Sequence, residues 1–147
     1  MSLFDKLLGR PTTLVEFISK CQKQGLRDVQ IYYDTADDDN MFGLPNYHVA
    51  VVIEAGGIKL KLAHFVHARL GDLYTTVVGK AMAEREAVKE ALDIYKRLLA
   101  SGFNVTFGGK CFTVEAIEKE VNDYTASIQE QCRKYGVSES LACVSRV

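Results

Sequence analysis

The chain has 147 residues, of which 48% are hydrophobic and 25% are charged, and its formal net charge is −1. This is the composition of an ordinary globular protein. It excludes a disordered chain, and the near-neutral charge disfavours a dedicated nucleic-acid binder. No apolar run reaches the length of a membrane span. The four cysteines are far apart and lack metal-ligand spacing, so we expect reduced thiols, no metal, no cofactor and a cytoplasmic location.

Residues 1–10 form a short amphipathic segment ahead of the first predicted helix. That helix is predicted to begin at Thr13, because Thr13 and Glu16 have capping-box spacing, and to end at Gly25. Its apolar residues recur on one helical stripe, namely Leu14, Phe17, Ile18 and Cys21. We therefore expect this face to pack on the core.

A strand follows the first helix, since apolar and polar residues alternate over 29–34. The next segment, 35–46, holds Asp37, Asp38 and Asp39 together with turn-forming residues and is predicted to be a loop. The aspartates lack the alternating ligands and closing carboxylate of a calcium loop. We interpret them as solvated charges.

Gly56 and Gly57 separate two alternating runs and predict a β-hairpin, because glycine adopts the positive φ of a tight turn. Counting outward from this turn sorts the side chains onto two faces. The nearly apolar face pairs Ala55 with Ile58, Ile53 with Leu60, Val51 with Leu62, Val49 with His64, and Tyr47 with Val66. The mixed face pairs Glu54 with Lys59, Val52 with Lys61, Ala50 with Ala63, His48 with Phe65, and Asn46 with His67.

A second turn is predicted at Gly71-Asp72. It extends the hairpin to an antiparallel meander whose last strand covers 73–78. In this register Arg69 lies opposite Tyr74. The middle of the chain is therefore expected to be a sheet of at least three adjacent strands.

The C-terminal half is predicted to be mostly helical. A long helix over 81–100 has apolar residues at helical spacing, namely Val88, Ala91, Leu92, Tyr95, Leu98 and Leu99. A small hairpin is predicted over 105–114, and Thr113 caps a final helix that ends at Gly136. This last helix carries a narrow apolar stripe, which packs on the sheet or pairs with a second subunit: Ile117, Val121, Tyr124, Ile128, Cys132 and Tyr135.

These elements predict a single α+β domain over 1–147, with 137–147 as a loose tail. Its element order is α-β-β-β-β-α-β-β-α, and an antiparallel sheet meander is packed by helices on one face. No repeat, low-complexity tract or linker divides the chain.

His48, His67 and Tyr74 form a candidate polar cluster, because the predicted register places them together on the mixed face. Two imidazoles and a phenol could perform acid–base chemistry. No carboxylate or nucleophile is predicted beside them, so solvent-exposed strand histidines are the simpler interpretation. His64 and His67 have H-x-x-H spacing, but on a strand they face opposite sides, so joint metal chelation is not expected.

The candidate nucleic-acid-binding residues are the basic ones near the meander and the long helix: Lys59, Lys61, Arg69, Lys80, Arg85 and Lys89. Lys59, Lys61 and Arg69 share the predicted mixed face with Phe65 and Tyr74. Basic groups beside aromatic rings attract phosphates and stack bases. The alternative is a sheet face covered by a helix, with its lysines at the rim.

The order of elements over 12–100 resembles the double-stranded RNA-binding domain. The residues that carry the resemblance are Leu14, Glu16, Gly25, Tyr33, Gly43, Pro45, the run Tyr47-His48-Val49-Ala50-Val51, and Glu84-Arg85-Glu86-Ala87. It implies RNA contacts from the first helix, from the loop after the first strand and from lysines at the second helix. This chain departs from the family there: the loop carries three consecutive aspartates, glutamates are interspersed with Lys80, Arg85 and Lys89, and the 73–78 strand is extra.

The element order of the whole chain also resembles type III secretion chaperones, which are small cytoplasmic homodimers that hold a partner segment without catalysis. This resemblance implies a dimer with a protein partner. We therefore expect a non-enzymatic binding module, a homodimer that engages another protein. The alternatives are a double-stranded RNA-binding module and a small enzyme that uses His48 and His67.

Overall fold

The computed structural model describes residues 11–39, 45–68 and 73–147. Its elements, in chain order, are helix α1 (Leu14–Lys23), strands β1 (Asp28–Asp39), β2 (Pro45–Ala55) and β3 (Ile58–Ala68), helix α2 (Leu73–Ala100), strand β4 (Asn104–Phe107), helix α3 (Val114–Tyr135), a 3₁₀ turn (Glu139–Leu141) and strand β5 (Val144–Arg146). The predicted segment 1–10, Arg69 and the turn at Gly71-Asp72 lie outside the described residues.

The described strands form one open sheet in the order β4-β1-β2-β3-β5. Neighbouring strands are antiparallel except for β1 and β4, which are parallel. The α+β class with helices on one face of the sheet is confirmed, but the prediction of a wholly antiparallel sheet is wrong. The reason is that α2 is a crossover connection between β3 and β4, so β4 runs in the same direction as β3. Since β1 and β3 both lie antiparallel to β2, β4 is also parallel to β1.

The predicted ends of α1 and α3 are confirmed. Thr13 Oγ1 accepts a hydrogen bond from the backbone N–H of Glu16 at 3.2 Å and caps α1. Thr113 caps α3 in the same way. Gly25 and Gly136 follow the two helices at φ +69° and +63°, which is the left-handed conformation that closes a helix C-terminus.

Strand β1 is longer than predicted, because it continues to Asp39 instead of ending at Asp34. Asp37, Asp38 and Asp39 pair with residues of β2. The prediction of a loop over 35–46 is therefore wrong in its first part, and the three consecutive aspartates lie on a strand.

The hairpin turn at Gly56-Gly57 is confirmed, and both glycines have positive φ. The four pairs nearest the turn, from Ala55–Ile58 to Val52–Lys61, have the predicted register. Beyond them the register shifts by one residue, because Leu62 is an extra residue in β3 and Val51 pairs with Ala63. The predicted pairs beyond this β-bulge are therefore wrong.

The bulge exchanges the two faces of β3, because side chains alternate along a strand. Ala63, Phe65 and His67 are buried toward the helices, whereas His64 and Val66 lie on the other face and are only partly buried. One extra residue thus moves both histidines to the face opposite the predicted one.

The predicted strand over 73–78 is wrong, because α2 begins at Leu73. Thr75, Thr76, Val77 and Val78 are β-branched and locally favour a strand. In the fold, Val78 is buried and the neighbouring Gly79 packs against the ring of His67 on β3. Packing between helix and sheet therefore outweighs the local preference of this segment.

The core lies between one face of the sheet and the helices. The stripe predicted for α2 is confirmed at Val88, Ala91, Tyr95 and Leu98, whereas Leu99 is 42% exposed. The same helix also buries Ala83, Ala87 and Ile94, and its earlier start adds Val78 to the core. In the predicted stripe of α3 only Ile117 and Ile128 are fully buried, since that helix packs mainly on α2 at the edge of the core.

The C-terminal residues differ from the predicted loose tail. Strand β5 pairs antiparallel with β3, and the backbone N–H of Val147 donates to the carbonyl of His64 at 2.8 Å. The hairpin predicted over 105–114 is reduced to β4 and a single bridge between Phe107 and Lys110. Within the described residues, no helix combines the length and apolarity needed to cross a membrane.

Candidate functional site

A cleft lies between the sheet and the helices, below the edge of β1. One part is a cavity of about 240 Å³ lined by residues of β1, β2, α2 and α3. Glu84 of α2 and Glu120 of α3 are its acidic residues, and the rest of its lining is Tyr33, Thr35, Tyr47, Val49, Val88 and Tyr124. The adjoining part is a cavity of about 260 Å³ that shares Tyr33 and Glu120 with the first; its remaining lining is Ile31, Tyr32, Phe107, Gly108, Phe112 and Ile117. Each part is slightly smaller than a typical small-molecule site of about 300–1,000 Å³, and both are lined by Tyr33 and Glu120.

Glu84 joins three elements at the floor of this cleft. Its carboxylate accepts a hydrogen bond from the hydroxyl of Tyr47 on β2 at 2.8 Å and another from the hydroxyl of Tyr124 on α3 at 3.1 Å. Hydrogen bonds to a charged acceptor are about twice as strong as those between neutral groups. The carboxylate therefore fixes the sheet and both helices relative to one another.

Four titratable groups of the cleft have raised pKa values. Burial raises the pKa of Tyr33, and the nearby charge of Glu120 raises it further. Burial also raises the pKa of Tyr47, and its hydrogen bond to Glu84 adds to the increase. Burial and Glu84 raise the pKa of Tyr124 to about 12. Burial, followed by the charge of Asp123, raises the pKa of Glu120. The phenols are therefore neutral donors, and the cleft holds excess negative charge.

Cations suit this environment. The ammonium of Lys80 lies 4.8 Å from the ring centroid of Tyr47, within the range of a cation–π interaction. On the other side of the cleft, Phe107 and Phe112 pack edge to face with ring centroids 5.8 Å apart. Phe112 is 41% exposed, so an aromatic surface is available to a ligand.

The strand above the cleft has an open edge. Strand β4 pairs with only the first residues of β1, Asp28 to Ile31. Among the described residues no strand pairs with the same edge of β1 from Tyr33 to Asp39. Tyr33 and Thr35 of this stretch point into the cleft, so the open edge and the cleft are continuous.

The structure does not bring the predicted polar cluster together. His67 is fully buried under α2, whereas His48 lies on the uncovered face of the sheet. The side chain of Tyr74 lies outside the described residues. The bulge instead places His64 beside His48, with Nε2 of His64 2.8 Å from Nδ1 of His48. The separation of His64 and His67 onto opposite faces is confirmed.

The predicted basic set is dispersed. Lys59 and Lys61 lie on the uncovered sheet face, and Lys59 is 3.9 Å from Glu54. Lys80, Arg85 and Lys89 lie on α2, on the other side of the sheet. Arg85 is only 8% exposed and lies within ion-pair distance of Glu86 and Glu139, and Lys89 also lies near Glu86. The described lysines and Arg85 therefore form no single basic surface.

Sequence reasoning missed the cleft because its residues come from five elements, β1, β2, α2, β4 and α3. The sequence pattern assigns Tyr47 to the nearly apolar face of the hairpin and Tyr124 to the apolar stripe of the final helix, and Glu84 enters only through the resemblance to the double-stranded RNA-binding domain. A phenol placed at a core position is the available signal, since a buried tyrosine hydroxyl needs a hydrogen-bond partner. The identity of that partner depends on the tertiary fold.

The class defined by these features is an α+β protein with a mixed sheet, helices on one face and an acidic aromatic cleft beneath an open strand edge. Comparison with protein families, with curated proteins and with solved structures finds no match to this chain. Its function is therefore inferred from the geometry of the described residues.

Proposed function

We propose that this protein is a non-enzymatic binding module that takes up an extended basic segment of a partner protein. The segment pairs with the open edge of β1 and places a lysine or arginine side chain in the cleft below. The observation that carries the proposal is the continuity of the edge from Tyr33 to Asp39 with a cleft that contains Glu84 and Glu120.

Strand addition accounts for the shape of the ligand. An exposed sheet edge presents unpaired N–H and C=O groups, which an extended peptide can bind through its backbone. Alternate side chains of that peptide then point to one face of the sheet. On the face covered by the helices they would enter the cleft beside Tyr33 and Thr35.

The negative charge of the site accounts for the positive charge proposed for the ligand. Asp34, Asp37 and Asp38 are exposed along the open edge, and the partly desolvated Glu120 lies in the cleft with a raised pKa. A lysine or arginine would supply the missing positive charge and pack against the aromatic walls. A cationic side chain thus suits both the acidic residues and the aromatic walls of the site.

The same aspartates disfavour a second copy of this chain at the edge. Two β1 strands paired along it would bring like charges opposite each other, which destabilises a pair. The partner at this edge is therefore a different, basic protein. The homodimer expected from the sequence stays a prediction, and it would need another surface.

The test is the binding of synthetic peptides by fluorescence anisotropy. One peptide of about eight residues, long enough to span the edge, alternates lysine with valine, and a second replaces each lysine by glutamate. We expect the basic peptide to bind and the acidic peptide not to bind. Salt should weaken the binding, since part of it is electrostatic.

Glu120→Gln should weaken the binding of the basic peptide by about fivefold or more, because it removes the carboxylate that faces the cleft. Glu130→Gln is the matched control: it is the same change on the exposed surface of the same helix, outside the cleft. Equal binding of both peptides, or equal effects of the two variants, would contradict the proposal.

Double-stranded RNA binding has less support, because the basic residues predicted for it are dispersed or ion-paired. A short RNA duplex measured at low and at moderate salt separates the two functions. Salt-sensitive binding of RNA without binding of the basic peptide would replace the present proposal by RNA binding.

A further inference from the structure

The central strand of the sheet has the burial pattern of a strand that is covered on both faces. Every residue from Val49 to Ile53 is at most 7% exposed. A strand with one solvated face alternates buried and polar residues, whereas a continuous apolar run is typical of a strand buried on both sides. The core beneath the described helices contains Val49, Val51 and Ile53. Ala50 and Val52 lie on the uncovered face of the sheet.

The charges of the uncovered face are sorted by strand. Because side chains alternate along a strand, the registers of β1, β2 and β3 determine which charged residues share this face with Ala50 and Val52. The residues are Asp28, Asp34 and Asp38 on β1, and Lys59, Lys61 and His64 on β3. The face is therefore acidic along one side and basic along the other, with small apolar residues of β2 between them.

Polar side chains at one end of this face are ordered by contacts with one another. Nδ1 of His48 on β2 lies 2.8 Å from Nε2 of His64 on β3. The other ring nitrogen of His48, Nε2, lies 2.8 Å from Oδ1 of Asp38 on β1. These contacts link the three strands across the face. Side chains that are already ordered lose less conformational entropy when a partner binds.

We propose that the uncovered face is the interface between two copies of this chain, related by a twofold axis that runs along β2 between the two sheets. This axis stacks β2 on β2 and places β1 of each copy opposite β3 of the other. Asp34 shares its row of the sheet with Ala50 and His64, so it faces His64 of the second copy and lies next to Lys61 of that copy. The acidic side of each copy thus meets the basic side of the other, and the symmetry repeats the contact twice.

Charge and side-chain size favour this arrangement. A twofold axis across the strands would stack β1 on β1 and bring the aspartates of the two copies together, which is repulsive. Ala50 and Val52 are small, so the two sheets can approach to about 10 Å, the usual spacing of packed sheets. Glu54 of β2 lies near the axis, but Lys59 of the same chain is 3.9 Å from its carboxylate and offsets the repulsion between the two copies.

The size of the uncovered face determines the expected strength of the dimer. Strands β1, β2 and β3 have 11 or 12 residues each. Three strands about 36 Å long and about 4.8 Å apart present roughly 500 Å² on each copy. A standard interface buries about 800 Å² per partner. We therefore expect a dissociation constant in the micromolar range, with monomer and dimer in equilibrium.

Analytical ultracentrifugation of the full chain between about 2 and about 200 μM measures this equilibrium. We expect a dimer whose affinity falls with salt, because part of the attraction is electrostatic. Lys61→Glu should weaken the dimer at least tenfold, since it places like charges together at two symmetry-related positions. Lys89→Glu is the matched control, because it makes the same change at an exposed position of α2, on the other side of the sheet. It should change the dissociation constant less than about twofold.

Exchange of the two charges distinguishes a broken interface from a damaged fold. Asp34→Lys should weaken the dimer as Lys61→Glu does, whereas the double variant Asp34→Lys, Lys61→Glu should return to within about threefold of the parent dissociation constant. Circular dichroism of each variant establishes that the fold is intact. Lys61 lies on β3, away from the open edge of β1, so Lys61→Glu should leave the binding of the basic peptide within about twofold of the parent value. The dimer interface and the peptide site are thereby tested separately.

The proposal is overturned if the parent chain remains a monomer at about 200 μM. It is also overturned if a dimer forms that Lys61→Glu and Lys89→Glu affect equally, because the dimer then uses another surface, such as the apolar stripe of α3. A double variant that associates no better than Lys61→Glu would exclude the placement of β1 opposite β3.

Discussion

Gly79 of α2 lies directly against the imidazole ring of His67 on β3, and a Cβ atom at position 79 would clash with three atoms of that ring. His67 is fully buried, and its Nδ1 lies 3.3 Å from the carbonyl of Cys143 at the C-terminal strand. The ring therefore lies between α2 and β5. The close approach of helix and sheet at this point requires a residue without a side chain.

Gly79→Ala should destabilise the protein by about 1–3 kcal/mol, the cost of overpacking a filled core. The helix propensity of alanine, worth about 1 kcal/mol, opposes this cost but does not cancel it. Urea unfolding measures the change. In the Gly79→Ala, His67→Ala double variant the two effects should be less than additive by about 1 kcal/mol or more; strict additivity would mean that the two residues do not interact.

Glu84→Ala should destabilise the protein by about 2–4 kcal/mol, because it leaves the hydroxyls of Tyr47 and Tyr124 without their charged acceptor. Tyr124→Phe removes only one of the two bonds and should cost about 1–2 kcal/mol. Thermal and urea unfolding give both values. Glu130→Ala on the exposed face of α3 is the control, and an equal effect there would rule out a special role of Glu84.

Deletion of Leu62 should prevent folding. Without the extra residue, β3 keeps one register along its whole length, so Ala63, Phe65 and His67 would turn away from the helices. Burial of a large side chain contributes about 1.5–3 kcal/mol, so the loss at these positions approaches the usual stability margin of about 5–15 kcal/mol. Leu62→Ala keeps the bulge and should cost only about 1–2 kcal/mol. A folded deletion variant, seen by circular dichroism and a cooperative transition, would contradict this account.

Stability should fall as the pH decreases below about 6.5, and His64 should account for part of the change. Burial, followed by the charges of Lys61 and His48, lowers the pKa of His64 in the folded protein. Between the lower folded value and the ordinary unfolded value, the unfolded chain binds more protons, so stability is gained with rising pH and lost with falling pH. Urea unfolding between about pH 8 and pH 5 measures this slope.

His64→Gln should reduce the pH slope of stability, because glutamine does not titrate. Lys61→Gln should also reduce it, since it removes a charge that disfavours protonated His64. The opposite sign, with a folded state that gains stability on acidification through this range, would mean that His64 is protonated preferentially in the fold.

Local features were predictable because neighbouring residues determine them. Thr13 and Thr113 carry the side-chain acceptors that cap their helices, and Gly136 supplies the left-handed conformation that ends α3. The turn at Gly56-Gly57 and the four pairs beside it follow from the positive φ of glycine. Each of these features depends on residues that are close together in the chain.

Other features could not be predicted, because several local structures have similar energies there. The β-branched run at Thr75–Val78 suits a strand, and only its contact with β3 makes it helical. The bulge at Leu62 leaves no clear pattern, since Leu62 fits an apolar position in either register. The wrong face assignments of His64 and His67 both follow from this single residue.

The sequence by itself determined the α+β class, the ends of α1 and α3 and the central turn of this protein, because capping and turn geometry depend on residues adjacent in the chain. Only the tertiary structure decided which side chains meet. Glu84 joins Tyr47 and Tyr124, and His48 faces His64, because strand register and helix packing set these distances. Strand register and helix packing depend on the burial of side chains from segments that are distant in sequence. They cannot be predicted from any one segment alone.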